Sequence, residues 1–290
     1  MKYSIFALVL TVFLLWLTLR INETFEAIFA YVSILTVGIF HGSNDISLIR
    51  YIKRGSTTNI IKYLVFYVLL VLFTCLIFIK FPLVALIVFV AFSCYHFGEQ
   101  HFHAQLLLQT IKSQILYVAY GILIFGLLFY FNQDDTSQVI YELTQVNLSE
   151  VTYQAFLILG IVLTAVFGFL NRKNFKVEVE FFKEIFLLVL FALLFKLASL
   201  LWAFAIYFIV WHSMPSLRDQ IESLHGQINS RTIIKYIKSS LIYWLISVIG
   251  LVIVYYISQG LELQFITLFF AFLAAITIPH VIVMFFLNKK

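Results

Sequence analysis

Seven histidines are the residues of this 290-residue chain best placed to do chemistry: His41, His96, His101, His103, His212, His225 and His280. Four of them, His41, His96, His212 and His280, lie inside long apolar runs or at their edges. Burying an ionisable group in an apolar membrane helix is costly and marks function by default, and neutral imidazole is the commonest metal ligand. Taken singly, each histidine has a plainer reading as a hydrogen-bonded core residue. Taken together, four at one matched depth favour a metal centre. An all-histidine set suits iron, zinc or copper, and the absence of a thiolate argues against structural zinc. On iron(II), four neutral ligands would leave the full positive charge and open positions for dioxygen, a chemistry suited to an apolar substrate with no coordinating atom.

Other residues flank these histidines. If the helices continue, Asp45 lies one turn after His41 and Glu99 three residues after His96, on the same faces. A carboxylate there would accept the outer ring N–H and fix the tautomer; the plainer reading is an interfacial polar residue. Tyr95, Tyr207 and Trp211 are candidates to line a substrate cavity, with an aromatic belt at the membrane interface as the alternative. Gly42 and Gly98 admit close approach of substrate or of a neighbouring helix. Pro279 loosens the last helix beside His280.

The elements that must position these groups are membrane helices. Hydrophobic residues make up 63% of the chain and charged residues 11%, with a mean hydropathy of +1.02, against roughly 25% charged residues in a soluble domain. Unbroken apolar runs exclude the period-two alternation of a membrane barrel. The expected fold is all-α: one integral-membrane domain over residues 1–290, a polytopic transmembrane bundle of about ten spans with both termini cytoplasmic. The spans are expected at Tyr3–Leu19, Thr24–His41, Ile60–Ile79, Pro82–Phe97, Gln114–Phe131, Tyr153–Leu170, Phe181–Phe195, Ala198–His212, Ser240–Ser258 and Leu263–Leu287. The stretch Phe181–Trp211 would overshoot the roughly 30 Å hydrocarbon core as one helix, so a break is placed near Lys196–Ser199. With ten spans, sixteen of the nineteen Lys and Arg residues fall on the side of the termini and only Arg20, Lys80 and Lys196 on the other, the asymmetry of a multi-pass protein of the cell inner membrane. The first run lacks a small-residue cleavage site and is read as a retained helix. A short amphipathic piece is expected at Ser137–Leu148. The net charge of +5 forms no basic stripe on a soluble domain, so nucleic acid is not an expected partner. Cys75 and Cys94 lie in apolar runs and suggest no disulfide.

The four histidine segments carry a family resemblance. They read Gly38-Ile39-Phe40-His41-Gly42-Ser43-Asn44-Asp45, Tyr95-His96-Phe97-Gly98-Glu99, Tyr207-Phe208-Ile209-Val210-Trp211-His212-Ser213 and Ile278-Pro279-His280-Val281. In this order they resemble the PHG-x-x-D, WHFGE, YF-x-x-WHS and PHV motifs of the Brp/Blh family of membrane-bound β-carotene-cleaving dioxygenases, over about Gly38 to Met284. The resemblance implies an iron(II) enzyme that uses dioxygen to split β-carotene centrally into two retinal molecules. It also implies membrane lipid as the medium of substrate and product, and a rhodopsin as a possible recipient of retinal. His41, His96 and His212 match family positions directly. Where many relatives have a second histidine after the first-motif Asp, this chain has Ile46, and where they have one four residues after the WHS histidine it has Ser216. His280, which matches PHV and the expected depth, is therefore the candidate fourth ligand.

Two other classes compete. A di-iron carotenoid or lipid hydroxylase is suggested by His96 and His101 with His103, but the chain lacks HxxHH-type boxes and the eight to ten histidines such enzymes need. A transporter or carotenoid-binding protein would use the histidines as proton relays or packing and would hold no stoichiometric metal. The absence of HExxH removes a zinc intramembrane protease. The charge distribution makes a direct prediction: a fluorescent reporter fused to the carboxy terminus will fold and fluoresce, and an alkaline phosphatase fusion there will be inactive. The opposite pattern would reverse the orientation.

Overall fold

The computed structural model describes residues 2–53, 60–176, 181–260 and 264–288. Arg54, Lys289 and Lys290, counted above on the cytoplasmic side, and Leu263, the expected start of the last span, lie outside the described residues. The architecture is all-α. The helices are α1 Lys2–Thr18, α2 Glu23–Ser33, α3 Ile39–Gly42, α4 Asp45–Ile52, α5 Ile60–Lys80, α6 Pro82–Phe102, α7 Ile111–Phe131, α8 Gln133–Thr144, α9 Glu150–Leu170, α10 Phe181–Leu197, α11 Leu200–Tyr207, α12 Met214–His225, α13 Ser230–Ile257 and α14 Phe265–Leu287. Among the described residues the only bridge is an isolated pair, Leu106 with Phe175.

Among the described residues, eight helical stretches are long and apolar enough to cross a membrane, Glu23–Ile52 and Leu200–His225 each counting as one. The expectation of ten exceeds these eight by α1 and α10, whose 17 residues each reach only about 25 Å. Large apolar side chains cover the outside: Phe66 is 62% exposed, Phe73 56% and Ile79 74%. An apolar surface this continuous is stable against lipid and not against water, so this is a polytopic membrane protein.

The helix ends differ from the apolar runs in instructive ways. Past His41, after a turn at Ser43–Asn44, and past His212 the chain is helical as α4 and α12, because amphipathic turns continue the backbone after the apolar run has ended. α13 begins at Ser230, ten residues before the apolar stretch, where Asn229 and Thr232 form a capping box. The amphipathic helix in the loop runs from Gln133 to Thr144. The break near Lys196–Ser199 is present: α10 ends at Leu197, and the Ser199 N–H that opens α11 donates to the buried Glu26 carboxylate at 2.9 Å. A carboxylate at a helix N-terminus satisfies a backbone donor and complements the dipole.

Among the described residues, two segments widen into π-helical turns, Ile34–Gly38 and Phe208–Ser213. The second leads into α12, where Pro215 has no N–H to continue an α ladder. Such a turn disturbs the backbone ladder, and in lipid the carbonyls concerned must be satisfied by the protein itself. The Leu35 carbonyl accepts from Trp244 Nε1 at 2.6 Å, and the Val210 carbonyl from the Tyr3 hydroxyl.

The chain divides into two compact units. The first comprises Met1–Ile34, Ser93–Tyr141 and Val146–His212, and the second Leu35–Phe92, Glu142–Gln145 and Ser213–Lys290. In the first, α7 is gripped on two sides. A Cβ on Gly98 would lie 1.9 Å from the Tyr117 carbonyl oxygen, one on Gly121 2.0 Å from that of Cys94, and one on Gly160 2.6 Å from the Leu123 nitrogen. These glycines let backbones touch, the small-residue packing of membrane helices. Trp202 and Trp211 donate to Thr18 and Thr11 of α1, each at 2.9 Å. In the second unit Glu142 caps α14, accepting from the Gln264 N–H and the Thr267 hydroxyl.

Gly98→Ala is expected to destabilise the detergent-solubilised protein by about 2–3 kcal/mol or to prevent folding, since no backbone can yield that far. Gly168→Ala, where an added Cβ meets nothing within 4 Å, will melt as the unsubstituted protein does.

Candidate metal centre

Each of the two units pairs two of the motif histidines. In the second unit the His41 and His280 rings meet edge to face with centroids 4.7 Å apart, and in the first His96 and His212 do so at 4.6 Å. All four are buried, between 1% and 5% exposed. Among the described residues, no group of three or more His, Cys, Asp or Glu side chains is placed to hold a metal ion.

His41 follows the π turn, and its Nδ1 makes a hydrogen bond with the Gly38 carbonyl. A carbonyl only accepts, so Nδ1 carries the proton and Nε2 the lone pair. The backbone of His41 is held too. Its carbonyl accepts from Gln220 Nε2 at 2.9 Å, and Gln220 Oε1 accepts from the Tyr236 hydroxyl at 2.7 Å. Ser216 stands where relatives of the resemblance have histidine; its hydroxyl accepts from the same Gln220 amide at 3.0 Å. A buried structural network occupies that place.

Asp45 is placed differently from the sequence expectation. It serves His280 rather than His41: His280 Nδ1 lies 2.9 Å from Asp45 Oδ1, and the Tyr67 hydroxyl donates to Asp45 Oδ2 at 2.8 Å. The reason is local. The helix breaks at Ser43–Asn44, Asn44 is tied to Ser239 at 3.0 Å, and Asp45 opens the new helix α4, so the one-turn register from His41 is lost. A carboxylate bonded to Nδ1–H leaves the lone pair on Nε2, as for His41, and makes that nitrogen a better donor to a metal. A Cβ on Gly42 would make ordinary contact, 3.7 Å, with the His280 ring, so this glycine faces the pair at close range.

In the first unit Phe97 and Phe208 flank the His212 ring, with centroids at 4.6 and 5.4 Å. Glu99 accepts from the Tyr95 hydroxyl at 3.0 Å. Tyr207 is buried against Phe97 and Phe191, a core position rather than an interfacial belt. Trp211 lies against Phe191 and donates to Thr11. His101 turns to Glu184, with Nε2 3.0 Å from Oε2, and stacks on Tyr120; it makes no box with His96. Tyr67, Gln220 and Tyr236 did not stand out in the sequence. The available signal for Gln220 was its spacing, four residues after Ser216 and eight after His212, which keeps it on their helix face.

The donors fit a divalent iron. They are buried imidazoles, and in the pair His41–His280 the hydrogen bonds at Nδ1 leave Nε2 as the ligating nitrogen. A family model described as beta-carotene 15,15'-dioxygenase matches residues 32–288 and contains all four histidines. The chain belongs to the β-carotene 15,15'-dioxygenase family. It is accordingly a carotenoid-cleaving oxidoreductase, in agreement with the Brp/Blh resemblance. Neither a curated protein nor a solved structure matches the chain.

Replacing Asp45 by Ala leaves two buried donors, His280 Nδ1–H and the Tyr67 hydroxyl, without their acceptor. It will lower stability by about 2–3 kcal/mol, and Tyr67→Phe by about 1 kcal/mol, measured by thermal unfolding in one detergent. Equal effects would mean that the carboxylate does not bridge the two.

Proposed function

We propose that the chain cleaves the central double bond of β-carotene with one dioxygen, giving two molecules of all-trans-retinal, and that iron(II) held by the imidazoles of His41, His96, His212 and His280 is the cofactor. One observation carries the reading above all: each motif histidine is buried against another of the four, within a chain of this dioxygenase family. The double bond is broken and each of its two carbons receives one oxygen atom, so the equation balances without an external reductant. Bound ferrous iron supplies the activation of dioxygen that its triplet ground state otherwise forbids.

The chain's own residues do the rest. Gly38 and Asp45 hold the Nδ1 protons of His41 and His280, so these rings present Nε2. The Asp45 charge offsets part of a cation's charge next to His280. Gln220 and Tyr236 fix the His41 backbone, while Phe97 and Phe208 wall His212 and keep water from its ring. Tyr95 and Trp211 line the approach on the aromatic side, and Tyr207 packs against Phe97, which walls His212. Holding one particular bond of a long polyene at the reacting position accounts for selectivity, and the cofactor carries the redox chemistry. No side chain needs to act as nucleophile or general base.

The site of action is the cell inner membrane, with both termini in the cytoplasm. Substrate and product partition in lipid, and retinal passes from there to an acceptor such as a rhodopsin.

Purified protein loaded with iron(II) and given β-carotene under labelled dioxygen is expected to yield retinal as the only aldehyde, with label in the carbonyl before exchange with water. Ala at any of the four histidines will cut turnover by at least about a hundredfold, whereas His103→Ala will not. A longer aldehyde, or a hydroxylated carotenoid, would overturn the reaction assigned.

A further inference from the structure

The second unit contains a cavity of about 250 Å³ between α5 and α14, lined by Phe66, Tyr67 and Leu70 of the one and Pro279, Ile282 and Phe286 of the other, among others. Phe66 and Phe286 form its outer side and are 62% and 54% exposed. On a membrane helix bundle that flank faces lipid. Its inner side is formed by two residues that touch the histidine centre: Pro279 precedes His280 in the chain, and Tyr67 holds Asp45, which holds His280. The cavity therefore joins the lipid-facing surface to the residues that hold His280, along one apolar wall.

We propose that this cavity is the lateral binding site for one cyclic end group of the carotenoid, entering from lipid. The assignment rests on the carotenoid-cleaving reading above and gives it a location. Three features select the occupant. Apart from Lys53 and the phenols of Tyr63 and Tyr67 the lining is apolar, so most of its surface suits a hydrocarbon occupant. Its size is below the roughly 300–1,000 Å³ of sites that enclose a whole drug-sized ligand, so it takes one end of a long molecule and leaves the polyene to run on. Aromatic rings at the mouth and a phenol at the base give flat faces for a methyl-substituted cyclohexene. Tyr67 has a double role: its ring is wall to the end group while its hydroxyl is committed to Asp45. Its hydrogen bond also makes it a positioning residue for His280.

Binding can be read without turnover. Metal-free protein in lipid nanodiscs, titrated with β-carotene, is expected to shift the carotenoid absorption spectrum and to saturate. Ile282→Trp, which fills the cavity, will weaken this binding by at least about tenfold, and Leu70→Ala, which removes wall contacts, will weaken it several-fold. In both variants binding of the acyclic carotenoid lycopene will change less than that of β-carotene. The iron content after loading will stay that of the unsubstituted protein. Should Ile282→Trp fail to fold, Leu70→Ala carries the test alone. Unchanged β-carotene affinity in a folded variant, or equal losses for cyclic and acyclic carotenoids, would overturn the proposal. Because the titration uses no metal, failure of the iron reading would appear separately, as normal binding without aldehyde.

Discussion

A polar group inside a membrane protein has no water to fall back on, so every imidazole N–H and every carbonyl displaced from a helix ladder must be met by another part of the chain. This constraint organises the histidine-bearing segments. His41 gives its Nδ1 proton to Gly38, and His280 gives its own to Asp45, whose other oxygen is occupied by Tyr67. With those protons committed, the remaining nitrogen of each neutral ring is an electron-pair donor. Held in this way, the two rings have the fixed orientation that the proposed metal site would require.

The same requirement explains the π turns. Each lies where a histidine is presented, one just before His41 and one containing His212. A wide turn reorients a side chain at the cost of disturbing the backbone ladder, and here distant aromatic residues offset that cost: Trp244 donates to Leu35 and Tyr3 to Val210. π-bulges recur at functional sites for this reason. Within the first unit, glycine-mediated contacts leave α7 no room to slide.

Much of this was legible in the residues. Apolar runs located the helices, and the break between α10 and α11 followed from length and charge before Ser199 and Glu26 accounted for it. The histidines stood out because ionisable groups are scarce in such helices, and their motifs pointed to the family that the match over residues 32–288 then established. What the sequence did not reveal has common physical causes. Hydropathy marks where lipid is, not where a helix stops, so α4, α12 and the start of α13 extended past the runs. A π turn has no compositional signature, and neither has the break at Ser43–Asn44 that moved Asp45 from His41 to His280. Tyr67, Gln220 and Tyr236 are single polar residues whose importance lies wholly in tertiary partners. Which histidine faces which is likewise a property of packing between distant helices.

The central claim is that imidazole nitrogens of this chain hold one ferrous ion. It is tested most directly by X-ray absorption at the iron edge on protein reconstituted anaerobically, together with elemental analysis of the same sample. The account predicts about one iron per chain with a first coordination sphere of nitrogen at the roughly 2.0–2.2 Å typical of such ligands and the multiple-scattering pattern of imidazole, weakened when His280 is replaced by Ala. Iron far below stoichiometry, or a sphere of oxygen alone that ignores the histidine substitutions, would contradict it.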